Sequence, residues 1–254
     1  GAFDGTVRNG TKLSLAVVTG VSNQNAVTLE SPHGVLPVTL TERIGTGFIG
    51  RDFTSGQTHE ITAWGTTTTI RTNTATGVRT YGYLFLKFDT GLVSAGIQTI
   101  PTATGNKAYT LSTPLNPSIV GMIGTLIRTL ATNITDTDAN ALAFGLLTPT
   151  AEHSLAVADV DAAAATTNTN SVYAAKSLRM EQTPGADAAN AVRVATANPG
   201  PTLNWTTTPG TADRQMIMWA VGSSAATITA DFTGTPLAIF AGQSGAFTDA
   251  STAS

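Results

Sequence analysis

Apolar and polar residues alternate with a period of two along most of this chain, which is the spacing of β-strands and not of helices. Residues 61–72 form a β-branched run that ends at the turn-favouring residues 73–77. A second run, at residues 78–88, carries apolar side chains on both faces, so the two runs predict a long hairpin. A strand with two apolar faces must be covered twice, which favours a sandwich or a subunit contact over a one-sided sheet.

A second hairpin is predicted from residues 97–101 and 107–111, joined through Thr104, Gly105 and Asn106. Further strand-like segments follow, with Gly, Pro and Asn between them, at residues 119–130, 141–147, 171–180, 191–197, 202–207, 215–221, 227–232 and 237–240. Regularly spaced short strands with such turns are typical of sandwiches and barrels. The pattern therefore predicts an all-β fold of antiparallel strands, a β-sandwich or jelly-roll-like arrangement, with flexible terminal arms.

The domain organisation follows from breaks in the strand pattern. Residues 91–96 separate the two predicted hairpins, and the last residues of the chain are small and polar enough for a flexible arm. We expect an N-terminal β region at residues 1–92, a β-sandwich module at residues 93–222, and C-terminal strands with an arm at residues 223–254.

Charge is scarce on this chain, and that changes the functional expectation. Charged residues make up 11% of the 254 residues, against about 25% in average soluble domains. A surface so poor in charge is easier to understand if neighbouring subunits cover much of it. The net charge of −3 offers no electrostatic footprint for DNA or RNA, so we expect no nucleic-acid partner.

The chain has no Cys, so neither disulfides nor thiolate metal sites contribute. The first residues lack the basic and apolar regions of a secretory signal, and no later run reaches the roughly 18 apolar residues of a spanning helix. We expect a soluble protein that is made in a cytoplasm and has no membrane partner.

One glycine motif imitates a nucleotide-binding site. Residues 45–50 match G-x-G-x-x-G, which binds a pyrophosphate only when a strand precedes it and a helix follows. Asp52 to Gly56 would break a helix within a turn, and no carboxylate stands near residue 70, where the ribose partner is needed. We therefore expect a Gly-rich β turn and no nucleotide cofactor.

Asp136, Asp138 and Asn140 have the opening spacing of a calcium loop, but Leu147 stands where the bidentate Glu should be. Asp159 and Asp161 could likewise point to one side. We expect both segments to be solvated loops that hold no metal.

The histidines His33, His59 and His153 lack metal-ligand spacing, and Ser244 lacks the surroundings of a G-x-S-x-G nucleophile. His59 and His153 each precede a polar residue, Glu60 and Ser154, but neighbours in a strand point to opposite faces. We therefore expect no enzyme, and we assign no catalytic, cofactor-binding or metal-binding residue.

Exposed aromatic rings could instead bind sugars, and Trp64, Trp205 and Trp219 have the right chemistry. Trp205 and Trp219 lie in apolar strand patterns, which predicts a place in the core. The position of Trp64 stays open.

The chain also resembles a module that is common in tailed-bacteriophage virion proteins. The resemblance rests on residues 96–106, on residues 115–125, on Leu203-Asn204-Trp205-Thr206, and on Arg214 followed by residues 218–222. The pattern opens with a hairpin, continues with a strand after an aromatic-x-Pro corner, and closes with an Asn-Trp-Thr strand paired with an apolar strand that ends in Gly. This chain differs from it at Leu115, where an aromatic residue is expected, and at Ser118, where a basic residue is expected.

The resemblance implies a virion structural role with no catalytic residues. We therefore expect a non-enzymatic component of the virion that assembles through β surfaces on the head, as a decoration or cement protein, or on the tail. Its partners would be further copies of itself, as a homo-oligomer, and other virion proteins such as the major capsid or tail protein. The alternative is a host-receptor or glycan-binding module of a tail fibre or spike.

Overall fold

Every regular element in the described part of the chain is a β-strand, and every strand pairing there is antiparallel. The structure is a computed structural model and describes residues 11–31, 40–51, 56–64, 66–73, 92–113, 115–125, 134–136, 140–159, 169–183, 186–197, 199–210 and 214–224. The predicted all-β, antiparallel fold is confirmed.

The described strands, in chain order, are β1 (Thr11–Gly20), β2 (Asn23–Ser31), β3 (Leu40–Thr46), β4 (Gly50–Arg51), β5 (Thr58–Ala63), β6 (Thr69–Asn73), β7 (Leu92–Ile100), β8 (Gly105–Ala108), β9 (Leu115–Thr125), β10 (Ile134–Asp136), β11 (Asn140–Leu147), β12 (Glu152–Asp159), β13 (Thr169–Ala174), β14 (Leu178–Thr183), β15 (Ala186–Ala197), β16 (Gly200–Thr207) and β17 (Arg214–Ser224).

These strands form four sheets. The largest has the order β13-β12-β11-β9-β17-β7 and is called here the central sheet. Two four-stranded sheets have the orders β14-β15-β16-β8 and β1-β2-β3-β10, and a three-stranded sheet has the order β4-β5-β6.

The larger of two cores fills the space between the central sheet and the β14-β15-β16-β8 sheet. Along β17, Met216, Met218 and Ala220 all point into this core, because alternate residues of a strand share a face. The opposite sheet contributes Leu203 and Trp205, and both side chains are fully buried. These two sheets therefore form a sandwich-like pair.

A second core covers the other face of the central sheet. Ile123 and Ile217, each next in sequence to a residue of the first core, pack there with Val27 and Ile44 of the β1-β2-β3-β10 sheet. Strands buried on both faces read as nearly continuous apolar runs. This explains why β9 and β17 carry so few polar residues.

The backbones of the two layers of the sandwich approach each other closely at Gly145. Gly145 of β11 faces the segment that leads into β14, and a Cβ added to it would lie 1.9 Å from the backbone oxygen of Ser177. Beside it, the Glu152 carboxylate of β12 accepts hydrogen bonds from Ser177 Oγ (2.6 Å) and from the backbone N–H of Arg193 on β15 (2.7 Å). Both layers are therefore joined by polar contacts as well as by the core.

A glutamine links two of the other sheets. Gln24 of β2 is buried, and its side-chain amide donates to the carbonyl of Ile61 (2.9 Å) and accepts from the N–H of Ile61 (2.7 Å). The amide therefore imitates a strand backbone and satisfies both polar groups of Ile61, which lies on β5.

The second predicted hairpin was wrong, whereas the structure describes only one of the two runs of the first. The run at residues 61–72 does not form one strand, because β5 and β6 are separate strands that pair with each other. The sequence of the run contains Gly65, a turn-favouring residue. The partner run at residues 78–88 lies outside the described residues. Strands β7 and β8 belong to different sheets, since β7 pairs with β17 and β8 pairs with β16.

Two other strand predictions needed correction. The segment at residues 171–180 is divided between β13 of the central sheet and β14 of the facing sheet. Val172 and Leu178 enter the same core from these two sheets, so burial is the reason that the chain crosses over. Strand β12 was missed altogether, and the predicted strands at residues 227–232 and 237–240 lie outside the described residues.

The structure assigns the three tryptophans different surroundings. Trp205 is fully buried, as predicted, whereas Trp219 is only partly buried and lies over Gly121, where an added Cβ would stand 2.1 Å from its ring. Trp64 remains 40% exposed.

We expect Gly145→Ala to lower the free energy of unfolding by about 1–3 kcal/mol, because the new methyl group would meet the backbone oxygen of Ser177. Gly96→Ala on β7 is the matched control, since an added Cβ there meets nothing within 4 Å. Urea unfolding of both variants measures the difference. Equal stability of the two variants would contradict the close approach of the sheets.

Trp205→Ala should cost about 3–5 kcal/mol of unfolding free energy, because it empties the centre of the larger core. Trp64→Ala removes the same side chain from an exposed position and should cost clearly less. Thermal and urea unfolding provide the comparison, and a wild-type melting curve for Trp205→Ala would refute the core placement.

Candidate interaction surface

Part of the central sheet is not covered by the second core. On that face, four apolar side chains of β11, β12 and β13 are exposed: Leu146 (44%), Leu155 (45%), Val157 (38%) and Tyr173 (65%). We call these four residues the open face. Large apolar side chains that lie together on a surface mark interaction sites more often than single ones do.

Strand register explains why these side chains are neighbours. Leu155 of β12 is paired with Phe144 of β11 on one side and with Tyr173 of β13 on the other. Directly paired residues of antiparallel strands place their side chains about 4.5–5.5 Å apart on one face. The residues between them along the strands, such as Ala156 and Val172, point into the larger core instead.

The open face continues the face that the second core covers. Leu142 and Phe144 lie on the same side of β11 as Leu146, and they pack against the β1-β2-β3-β10 sheet. Exposure increases along this row, from Leu142 at 8% to Leu146 at 44%. The covering sheet therefore ends within a row of apolar side chains, and the open face is the remainder of that row.

An aromatic pair lies at one side of the open face. The rings of Tyr173 and His153 are stacked, with centroids 5.6 Å apart and planes inclined by 17°. The Tyr173 hydroxyl is hydrogen-bonded to His153 Nδ1 at 2.5 Å. Because the hydrogen bond and the stacking both restrict the Tyr173 ring, its large exposed surface is held in one orientation.

Charge is lacking on this surface. On β11, β12 and β13, the described side chains that share the face with Leu155 are those of Leu142, Phe144, Leu146, His153, Val157, Ser171 and Tyr173, and they include no Lys, Arg, Asp or Glu. Glu152, which comes just before this part of β12, points the other way and bridges to β15. The open face is thus suited to an uncharged partner surface.

Several charged side chains elsewhere in the described strands form structural pairs. Glu60 accepts a hydrogen bond from Asn73 (2.8 Å) and forms an ion pair with Arg71 across β5 and β6. These hydrogen bonds, from Asn73 and then Arg71, hold the pKa of Glu60 below its ordinary value. Arg179 bridges Glu181 (3.0 Å) and Asp187 (2.8 Å) on β14 and β15.

A buried phenol in the larger core, that of Tyr109, is unsuited to proton transfer at neutral pH. Burial raises the pKa of Tyr109 above its ordinary value, against a smaller lowering by the neighbouring Trp205 side chain. The Tyr109 hydroxyl also donates to the carbonyl oxygen of Thr99 (3.4 Å). This phenol therefore stays protonated and serves the packing of the core.

The nucleotide-like motif at residues 45–50 lies in a strand–turn–strand segment. It joins the end of β3 to β4, and Gly47 has a positive φ of 79° in the turn. Because β4 follows where a helix would be needed, the prediction of a Gly-rich β turn is confirmed.

The histidines are not brought together where the structure describes them. His59 is buried on β5, with Nδ1 3.1 Å from Thr72 Oγ1, whereas His153 is exposed on β12. His33 and Ser244 lie outside the described residues.

The side chains that have the spacing of a calcium loop lie outside the described residues. Asp136 ends β10 and Asn140 begins β11, while Asp138 and Asp161 lie outside the described residues, as do the side chains of Asp136, Asn140 and Asp159. Within the described residues, no group of three or more His, Asp or Glu is placed to hold a metal ion.

Sequence reasoning missed the open face because it missed β12. The signal was present: Ser154 and Ala156 are small, and they alternate with Leu155 and Val157. That alternation predicts a strand, but it does not tell which of its two faces is covered.

Two further findings concern membrane-spanning helices and similarity to known proteins. In the ranges that the structure describes, no helix is long and apolar enough to cross a membrane. Comparison of the chain with protein-family models, with curated proteins and with solved structures finds no significant match.

Proposed function

We propose that this protein is a non-enzymatic structural component of a phage virion that assembles through β surfaces. It would act on the head, as a decoration or cement protein, or on the tail. Its partners would be further copies of itself and virion proteins such as the major capsid or tail protein.

The observation that carries the assembly role is the open face. It presents four exposed apolar side chains on a regular sheet, without a charged side chain among the described residues of that face. Exposing such a surface to water is unfavourable, and covering it with a protein partner gains about 25 cal/mol for each Å² of apolar area. The low charged fraction of the whole chain, 11%, supports the same role.

The phage assignment is supported by the resemblance described above. The matching segments fall on β7, β8, β9, β16 and β17, which are strands of the sandwich-like pair of sheets. Two pairings of the pattern are not formed, because β7 and β17 lie in one sheet and β8 and β16 lie in the other. The resemblance therefore concerns the packed part of the molecule, while the open face lies on β11 to β13, outside those segments.

We expect the protein to be present at high copy number in purified particles of the phage that encodes it. A decoration or major tail component repeats with the lattice that it covers. Gel densitometry against the major capsid protein measures the copy number, and a particle reconstruction locates the copies. Absence from purified particles, with the protein present in the lysate, would contradict the proposal.

One observation favours a glycan-binding module as the second candidate. Tyr173 is 65% exposed, and its ring is held by the stacked His153. Rigid exposed aromatic rings offer an apolar surface with a polar edge, to which a sugar ring can bind.

The two candidates differ in a saccharide-binding experiment. The structural role predicts no binding to host-surface glycans, measured by calorimetry, and unchanged behaviour of Tyr173→Ala in that assay. Trp64→Ala is the control, because it removes another exposed aromatic ring from a different sheet region. Saccharide binding that Tyr173→Ala abolishes and Trp64→Ala retains would favour the glycan-binding module.

A further inference from the structure

We infer that the open face is the contact surface for a second copy of this chain, which packs on it face to face. This inference rests on the proposed assembly role and names its partner. The surface consists of Leu146, Leu155, Val157 and Tyr173, which lie on three adjacent strands of the central sheet.

The lack of described charges on the open face favours a second copy as its partner. An acidic or basic partner would find no described Lys, Arg, Asp or Glu on the open face to pair with, and would lose hydration when it docks. A like surface brings no charged side chain among its described residues, and most of the area that it covers is apolar. Charged residues are depleted in the centres of stable interfaces, which agrees with this match.

The open face is continuous with a row of apolar side chains that is packed inside the molecule. Leu142 and Phe144, on the same face of β11, already pack against another sheet of this chain. Sheets packed in this way lie about 10 Å apart with interdigitating side chains. A second copy would extend the same type of packing along the same row, from Phe144 to Leu146 and Leu155.

Register gives the position of the symmetry axis. Contacts between identical faces are isologous, so residues near a two-fold axis meet their own copies. Leu155 is the central residue of the face, with Phe144 and Tyr173 directly beside it on the neighbouring strands. The axis would therefore pass close to Leu155, and Leu155 of one copy would meet Leu155 of the other.

The size of the face sets the expected strength. Four partly exposed side chains offer a few hundred Å² of apolar surface, which is less than the about 800 Å² per partner of a standard stable interface. We therefore expect a weak, reversible dimer in solution. In a repetitive lattice, many such weak contacts act together, so the assembly can be far more stable than one pair.

Sedimentation velocity of the full chain over a range of concentrations tests the inference. The wild type should show monomer–dimer exchange, and Leu155→Glu should weaken association by about tenfold or more. Val194→Glu is the matched control, because Val194 is an equally exposed apolar residue (49%) on β15 of another sheet. It should associate like the wild type.

A cross-linking experiment tests the axis without relying on weakened association. The chain has no Cys, so Leu155→Cys and Val194→Cys each introduce a single thiol. Facing sheets about 10 Å apart exceed the about 4.4–6.8 Å between Cα atoms that a disulfide spans, so a short bismaleimide is the reagent. Leu155→Cys should give cross-linked dimers, and Val194→Cys should give far fewer.

Several outcomes would overturn the inference. If Leu155→Glu associates as strongly as the wild type, and circular dichroism shows both proteins to be folded, the inference is wrong. A wild type that is monomeric at all concentrations would also overturn it. If the wild type is monomeric and Leu155→Glu, unlike the wild type, fails to bind virion particles, the open face contacts a different virion protein. The copy number in particles tests the proposed function separately, so the two failures are distinguishable.

Discussion

The arrangement of this protein depends on the need to cover both faces of the central sheet. Its inner strands, β9 and β17, place apolar side chains on alternate faces, with Met122 and Met218 on one side and Ile123 and Ile217 on the other. Neither face can be left in water without a large loss of hydrophobic stabilisation. One sheet covers the first face, a second sheet covers part of the other, and the open face is the part that remains.

Three ionisable groups of the described strands contribute to the packing of the fold. Glu152 joins the two layers of the sandwich, Glu60 pairs across a hairpin, and burial keeps the phenol of Tyr109 protonated. Each of these groups is engaged in a structural contact. The most exposed aromatic side chain, Tyr173, lies instead on the apolar surface proposed for assembly.

Local pattern predicted the strands better than it predicted their partners. The segments at residues 141–147, 202–207 and 215–221 correspond closely to β11, β16 and β17. The second predicted hairpin was wrong because adjacent strands were assumed to pair, although β7 and β8 enter different sheets. Alternation looks the same in either sheet, so it does not tell which strand becomes the partner.

The amino-acid sequence by itself determined the strand character, the antiparallel all-β class and the scarcity of charge, because these depend on composition and period alone. Only the tertiary structure decided which apolar faces are buried. Leu142 and Leu155 both stand between small residues in alternating segments, yet Leu142 is 8% exposed and Leu155 is 45% exposed. The difference arises because the β1-β2-β3-β10 sheet reaches β17 and β9 and ends over β11, and such long-range placement is not encoded in any local pattern.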